Sequence, residues 1–555
     1  MIADVRPWWK GAVLYHIYVR SFFDSNGDGH GDLPGVEAKL DYIQSLGVDG
    51  IWLSPIHPSP NRDWGYDVAD FDGVQPDYGT AEDFQRLLDA AHARGLKIVL
   101  DEVLSHTSDV HPWFVESLTD GAGGPKADWY VWADPQADGT APNNWLSVFG
   151  GPAWAYQPAR RQHYHHKFLR QQPKLNWRSP GAQEAALSVL DHWLGKGVDG
   201  FRLDVAGTFL HDAALTNNPP MPVAERTRYD WSHAGNLQRH LFDSNLSENS
   251  ETLEVIRNRV EAHNGANGGD RFVFGEFSEE EERCGAYLSP NEGLHSAYTF
   301  VLLLARRLTP KFIQDHYATL NAHPAHWPTI SFSNHDVPRT VSRFAGRDAG
   351  SQEGTPDLAK LLFALLLSLK GTILIYQGEE LGLPQAALTR DQLRDPVGDL
   401  YWPYSGGRDG CRTPMPWEPG PALGFTSGTP WLPAAAEHQG LTVKAQDHDP
   451  DSTLAFAREM IDFRKHSAAM TAGGLAFLDV PDPILAFVRR DGEEAIACLF
   501  NLSAEPRFVE TPELAGAILL EVRAGDADLR GGSIGLSAHA ACFLRLQLPP
   551  EANPA

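Results

Sequence analysis

The residues best placed to do chemistry are acids that close apolar runs. Gly200, Phe201, Arg202, Leu203 and Asp204 read as a buried parallel strand delivering a carboxylate at its carboxyl end. Side chains alternate along a strand, so Arg202 shares a face with Asp204 and would keep it ionised, as a nucleophile requires. The same five residues also fit a structural Arg-Asp pair. Other apolar runs end alike: Asp101 is followed by His106, Phe274 and Gly275 by Glu276, and Asn334 by His335 and Asp336. Asp204, Glu276 and Asp336 together suit cleavage of a glycosidic bond, one attacking the anomeric carbon, one protonating the leaving oxygen, one steadying the cationic transition state. Phe274 and Phe277 are apolar neighbours that would help keep Glu276 protonated.

Positioning such acids takes a large scaffold, and 555 residues allow a barrel plus smaller domains. Apolar strands alternate with amphipathic helices. Thr80 caps a helix with Asp83 completing a capping box, Phe84, Leu87, Leu88 and Ala91 form its apolar stripe, and Gly95 ends it. Strands are expected at Val13 to Phe22, Val48 to Ser54, Leu96 to Leu104, Val198 to Asp204, Phe272 to Phe277, Ser296 to Val301, Thr329 to Ser333 and Thr372 to Tyr376. Eight such units predict an α/β fold, a (β/α)8 TIM barrel, with its active site at the carboxyl ends of the strands. The barrel is assigned to residues 1–106 and 177–467, an inserted subdomain to 107–176 after strand 3, and an antiparallel C-terminal β-sandwich to 468–555. A polar segment from Phe209 to Asn249 is expected to cover the substrate entrance.

The formal charge is 46 − 72 = −26, which argues against nucleic acid or anionic membrane as partner and favours a neutral or cationic substrate. Sixteen Trp, 15 Tyr and 26 Phe supply flat surfaces suited to sugar faces. Cys284, Cys411, Cys498 and Cys542 have neither disulfide-framework nor zinc spacing, and Met1 to Lys10 lacks the order of a signal peptide, so a reducing cytoplasm is expected. The run Leu361 to Leu367 is too short for a bilayer and reads as a buried helix.

Six stretches together, Asp101 to His106, Gly200 to Asp204, Phe274 to Phe277, Phe332 to Asp336, Gly371 to Gly382 and Arg408 to Trp417, resemble the α-amylase family of retaining glycoside hydrolases. The likeness is to its bacterial α-glucosidase and oligo-1,6-glucosidase branch. It implies Asp204 as nucleophile, Glu276 as general acid and base, Asp336 as transition-state stabiliser, His106 and His335 on ring hydroxyls, and Arg202 holding the nucleophile. It also implies that Asp67 pairs with Arg408 around the 4- and 6-hydroxyls of a terminal glucose, which favours exo action. Tyr66 would stack beneath the ring, with Phe149 and Phe168 as aromatic walls or ordinary core. The implied substrate is a small oligosaccharide or glucoside, the implied assembly a monomer or small homo-oligomer, with no organic cofactor.

Asp24, Asn26, Asp28, His30 and Asp32 place polar side chains at every second position, like the first half of an EF-hand loop, with Gly35 where a twelfth-position Glu would stand. An Asx-rich turn fits as well. The family resemblance implies a structural Ca²⁺ or Mg²⁺ there, His30 ligating through its carbonyl.

Departures concern specificity. Gln172, Pro173, Lys174, Leu175 and Asn176 match a branch motif, Gln-Pro-Asp-Leu-Asn, except for the charge reversal at Lys174. By resemblance, Val205 after the nucleophile accompanies α-1,6 activity, and Ser105 with the Arg408 to Arg412 segment resembles enzymes noted for glucosyl transfer. The alternatives are a sucrose or maltose isomerase with the same acids, and a non-catalytic carbohydrate-binding or transporter-associated relative.

Overall fold

The computed structural model describes residues 6–225, 233–265, 270–278, 288–289, 292–323, 326–345 and 355–547. Cys284 and part of the Phe209 to Asn249 segment lie outside them.

Eight parallel strands form the barrel: β1 (Val13–Ile17), β2 (Gly50–Leu53), β3 (Lys97–Glu102), β4 (Gly200–Leu203), β5 (Phe272–Phe277), β6 (Ser296–Thr299), β7 (Thr329–Ile330) and β8 (Thr372–Tyr376). They are laddered in the order β6-β5-β4-β3-β2-β1-β8-β7. The seam between β6 and β7 is bridged by Ser296, whose Oγ lies 2.6 Å from Thr329 Oγ1 and donates to the Trp327 carbonyl at 2.7 Å.

β5 and β8 have the expected bounds and the other six strands are shorter, β2, β3 and β4 by one to two residues at each end. β1 ends at Ile17, and Val19–Ser21 turn into a 3₁₀ segment. β6 gives way to a helical turn at Phe300–Leu303, and β7 keeps only Thr329–Ile330 beside the open seam. The register then sets the site. Asp101 on β3 lies beside Arg202 on β4, and Glu276 on β5 beside Tyr298 on β6.

The barrel interior is filled by Leu14, Trp52, Val99, Phe272, Phe274, Tyr298 and Leu374. A larger core lies between strands and helices, and Phe277 belongs to it. The helix Ala81–Ala93 has both halves of its capping box and buries Phe84, Leu87, Leu88 and Ala91. The greasy run sits in the buried helix Pro356–Ser368. Arg464 fastens the end of the barrel away from the site, donating to the carbonyls of Gly371 at 2.7 Å and Leu367 at 2.6 Å.

Between β3 and β4 a small sheet is built from Trp132–Ala133, Trp154–Gln157 and Gln162–His165. It is stitched to the segment after β4 by the Lys167–Asp243 ion pair at 2.8 Å and by Trp145 Nε1, which donates to the Thr216 carbonyl at 2.8 Å. From Gly474 onward the chain forms a five-stranded and a three-stranded antiparallel sheet. The second, made of Arg507–Glu510, Ala527–Arg530 and Ser533–Leu536, was not foreseen: each strand is only four residues long, too short for its alternation to stand out.

Candidate active site

Arg202 is the hub. Wholly buried, with its guanidinium 5.2 Å from the Trp52 ring centre, it reaches three carboxylates: Asp101 at 2.7 Å, Asp204 at 2.8 Å and Glu276 at 2.7 Å. Tyr298 completes the arrangement. Its hydroxyl accepts from Arg202 Nη2 at 3.0 Å and donates to Glu276 Oε1 at 3.0 Å. The Val205 N–H donates to Glu276 Oε2 at 3.2 Å, so residues next to each other in the chain hold one acid and steer another. Val205 adopts a left-handed backbone, φ 40° and ψ 47°, which is costly for a β-branched residue.

Burial and crowding govern the charges. Asp101, Asp204 and Glu276 are each pushed up to about 7 by burial, with Arg202 pulling down and neighbouring carboxylates pushing up. Arg202 lowers Asp204, as its place on the same face suggests, while burial and the neighbouring carboxylates oppose it, one cation being shared among three buried acids. For Glu276 the burial comes from the barrel interior and Phe274; Phe277 points to the outer core.

Asp336 lies near enough to raise both Asp204 and Glu276. Its Oδ1 accepts from Arg412 at 3.0 Å and Arg408 at 3.3 Å, and its Oδ2 is 3.3 Å from His335 Nε2. The three acids thus meet around one point. Tyr66 stacks on His335, ring centres 5.1 Å apart and nearly parallel, and its hydroxyl donates to Asp101 at 3.0 Å. His335 and His106 are buried and held neutral, desolvation pushing His106 down to about 3. His106 Nε2 is 2.9 Å from the Tyr66 carbonyl and its Nδ1 2.7 Å from Ser105 Oγ. Phe168 packs 5.3 Å from His106 and 5.7 Å from Phe149, whose ring centre is 5.2 Å from the Arg408 guanidinium.

The expected Asp67–Arg408 pair is replaced by another. Arg408 pairs with Asp63 at 2.6 Å and Asp395 at 2.7 Å. Asp67 is buried beneath the loop, accepting from Ser59 Oγ at 2.7 Å and from the N–H groups of Arg62 and Asp63 at 3.0 Å. These three donors tie Asp67 into the loop, and it is Asp63 that faces Arg408.

The chain matches the alpha-amylase catalytic domain over residues 16–473. It belongs to the alpha-amylase family. It is 46% identical over 521 residues to a probable alpha-glucosidase of Rhizobium meliloti (strain 1021), covering 91% of each chain. It is 35% identical over 545 residues to the oligo-1,6-glucosidase of Heyndrickxia coagulans, covering 92% of this chain and 95% of the relative. Among solved structures it superposes on the alpha-glucosyl transfer enzyme XgtA with a TM-score of 0.93 and 44% identity, over 98% of this chain and 100% of that one. This alpha-amylase family member is accordingly a glycoside hydrolase with the family's barrel and C-terminal sheets.

Four site residues escaped the sequence reading: Asp63, Asp395, Arg412 and Tyr298. Arg412 lies inside a motif already noted and so had a sequence signal, whereas Asp63 sits in a polar loop where aspartate is ordinary. Tyr298 and Asp395 had none.

In the Asp24 to Asp32 loop the side chains make successive Asx turns. Asp24 Oδ1 accepts from Gly27 N at 2.7 Å, Asn26 Oδ1 from Asp28 N at 2.8 Å, and Asp28 Oδ1 from His30 N at 2.8 Å. Asp32 caps the helix Leu33–Ala38 through Gly35 N at 2.6 Å. Among the described residues no three acidic, histidine or cysteine side chains converge closely enough to hold an ion. The donors are hard oxygens, the class that suits Ca²⁺ or Mg²⁺, and Asn26 Oδ1 and Asp28 Oδ1 each keep a second lone pair, whereas Asp24 already accepts from Asn26 N and Gly27 N on Oδ1 and from Gly29 N and Thr426 Oγ1 on Oδ2 and would have to exchange donors to bind an ion.

Proposed function

We propose that the protein is an exo-acting, retaining α-glucosidase that removes terminal α-linked glucose from short oligosaccharides and passes it to water or to another sugar hydroxyl. The observation that carries this reading is Arg202 bridging Asp204 and Glu276 at 2.8 and 2.7 Å. Sharing one guanidinium is compatible with the separation of about 5–5.5 Å that retention needs.

In this reading Glu276 starts protonated and Asp204 ionised. Arg202 grips Asp204 Oδ1, while Glu276 Oε2, which among the described residues accepts a hydrogen bond from the Val205 N–H at 3.2 Å, is the oxygen that carries a proton to the leaving group. Asp204 attacks C1 as the C1–O bond to the leaving sugar breaks, and the Glu276 proton goes to that departing oxygen. Asp336 faces the positive charge that develops on the ring. Glu276 then takes a proton from water or a sugar hydroxyl, whose oxygen attacks C1 and frees Asp204. Asp63 and Arg408 close the pocket behind the 4- and 6-hydroxyls, with Tyr66 beneath the ring and Phe149 and Phe168 beside it. His335, kept neutral, offers a hydrogen bond to a ring hydroxyl, and His106 does so on exchanging its contact with the Tyr66 carbonyl for the sugar.

The 44% identity to a glucosyl transfer enzyme supports transfer as well as hydrolysis, and Val205 supports α-1,6 bonds. The Asp24 to Asp32 loop would seat a structural Ca²⁺ or Mg²⁺ through Asp24, Asn26, Asp28, Asp32 and the His30 carbonyl, stiffening the loop without entering the reaction. A chelator should then lower the melting temperature and added Ca²⁺ restore it; an unmoved melting curve removes the ion.

The test is a panel of maltose, isomaltose, sucrose and p-nitrophenyl α-glucoside, with NMR of the first anomer released. α-Glucose first, with isomaltose at least as good as maltose, supports the reading. β-Glucose first refutes double displacement, and isomaltulose or trehalulose from sucrose would make the protein an isomerase.

A further inference from the structure

Lys174, the charge reversal in the Gln172 to Asn176 motif, is 1% exposed and its backbone is pinned. It forms a β-bridge with His106, donates its N–H to the His165 carbonyl at 2.9 Å, and accepts from Val131 N at 3.2 Å. Its ammonium crosses out of the inserted subdomain into the barrel. There it donates to the carbonyls of Thr208 and of Phe209, the latter at 3.2 Å.

Those carbonyls end the turn that follows the nucleophile strand. Thr208 is tied back to Val205, its N–H and Oγ1 reaching the Val205 carbonyl at 2.8 and 2.9 Å. Val205 in its left-handed conformation is the residue whose N–H meets Glu276. Two other tethers hold the turn: Asn249 Nδ2 on the Ala206 carbonyl at 2.8 Å and Asn245 N on the Gly207 carbonyl at 2.7 Å. Lys174 alone anchors its far end from the subdomain side among these three. A left-handed β-branched residue stays in place only if its surroundings over-determine it, and here the surroundings include that ammonium. An aspartate at 174 would bring acceptors to two carbonyls and could not make either bond.

We propose that Lys174 is a positioning residue for the general acid: by holding the carbonyls of Thr208 and Phe209 it fixes the turn that aims the Val205 N–H at Glu276. The proposal rests on the reading of Glu276 as the proton donor. The groups facing Glu276 are Arg202, Tyr298, Asp101, Asp204, Asp336 and the Val205 amide; those facing Lys174 are Lys167, Asp243, His165, His211 and His106. Burial and Lys167 press Lys174 down to about 7, yet a neutral amine still has N–H groups for both carbonyls. The tether therefore survives across the working pH range.

The Val205 N–H stabilises the ionised form of Glu276, so loosening it raises the pH at which the acid is lost. The experiment is the pH dependence of kcat for Lys174→Met on p-nitrophenyl α-glucoside, with circular dichroism and a melting curve to establish folding. The alkaline limb should move up by about 0.5–1 pH unit and kcat at the optimum fall by roughly tenfold. Lys174→Gln, which keeps an N–H donor, should shift less. A folded Lys174→Met with the wild-type alkaline limb overturns the proposal, even if kcat falls. So does unfolding of both variants, which would make Lys174 a support of the whole fold. A wild type inactive on every α-glucoside fails the glucosidase reading instead.

Discussion

The Asp63–Arg408 pair gives the sharpest prediction, because the chain offers Asp67 four residues away as an internal control. Asp63→Ala removes the carboxylate that meets Arg408 at 2.6 Å and Gln172 Nε2 at 3.0 Å. Arg408 keeps Asp395 at 2.7 Å, so the guanidinium stays in place and mainly the contribution to substrate is lost. A hydrogen bond to a charged group is worth about 1.5–3 kcal/mol, which at 1.4 kcal/mol per tenfold lowers kcat/KM about 10- to 150-fold. A hydroxyl gripped alike in ground and transition states puts most of that loss in KM. Asp67→Asn keeps one acceptor oxygen for the loop and leaves Arg408 untouched, so it should cost about 1–2 kcal/mol of stability with kcat/KM within about threefold of wild type. The assay is initial rates on isomaltose and p-nitrophenyl α-glucoside, with urea midpoints for all three proteins. If Asp67→Asn abolishes binding while Asp63→Ala is near normal, the pocket is closed by the other acid and the site has been misread.

Asp101, Asp204 and Glu276 are each raised to about 7, so they titrate as one cluster with macroscopic steps. kcat/KM should be bell-shaped, the alkaline limb near neutrality marking loss of the Glu276 proton; a rate flat from about pH 5 to 9 contradicts this. Tyr298→Phe removes the hydroxyl that stabilises the Glu276 carboxylate at 3.0 Å, so that limb should move upward, read from the same pH series. Asp395, buried against Arg408, is held at about 2, below the unfolded value of about 3.9. A depressed pKa stabilises fully above the unfolded value, and that stability fades as pH falls toward the folded one. It amounts to about 2–3 kcal/mol, so the urea-midpoint gap between wild type and Asp395→Asn should narrow as pH drops from about 5 to about 3.

Much of this was legible in the sequence, for physical reasons that also mark where legibility ends. β3, β4 and β5 are buried on both faces, so they write continuous apolar runs that end on Glu102, Leu203 and Phe277. β7 spans only Thr329–Ile330 because its length is set by the seam with β6, a tertiary matter that leaves no local mark. The acids were visible because charge at the end of a buried strand is expensive. Asp63 was not, because it sits in a polar loop where aspartate is ordinary and its partner lies 345 residues away. Tyr298 reads as any strand tyrosine, and only the β5–β6 register puts it beside Glu276. Lys174 announced itself as a departure, but its two carbonyl partners belong to a turn that sequence spacing cannot place.

The central claim is that Asp204 bonds to the anomeric carbon while Glu276 supplies the proton. Incubating Glu276→Gln with α-glucosyl fluoride, whose leaving group needs no acid, should let the first step proceed and starve the second of its base. Peptide mass spectrometry should then find one glucosyl unit on the fragment carrying Asp204, and added azide should attack C1, free the Asp204 carboxylate and release α-glucosyl azide. A glucosyl unit on any other acid, or fluoride release with inverted β-glucose and no labelled peptide, would contradict the account.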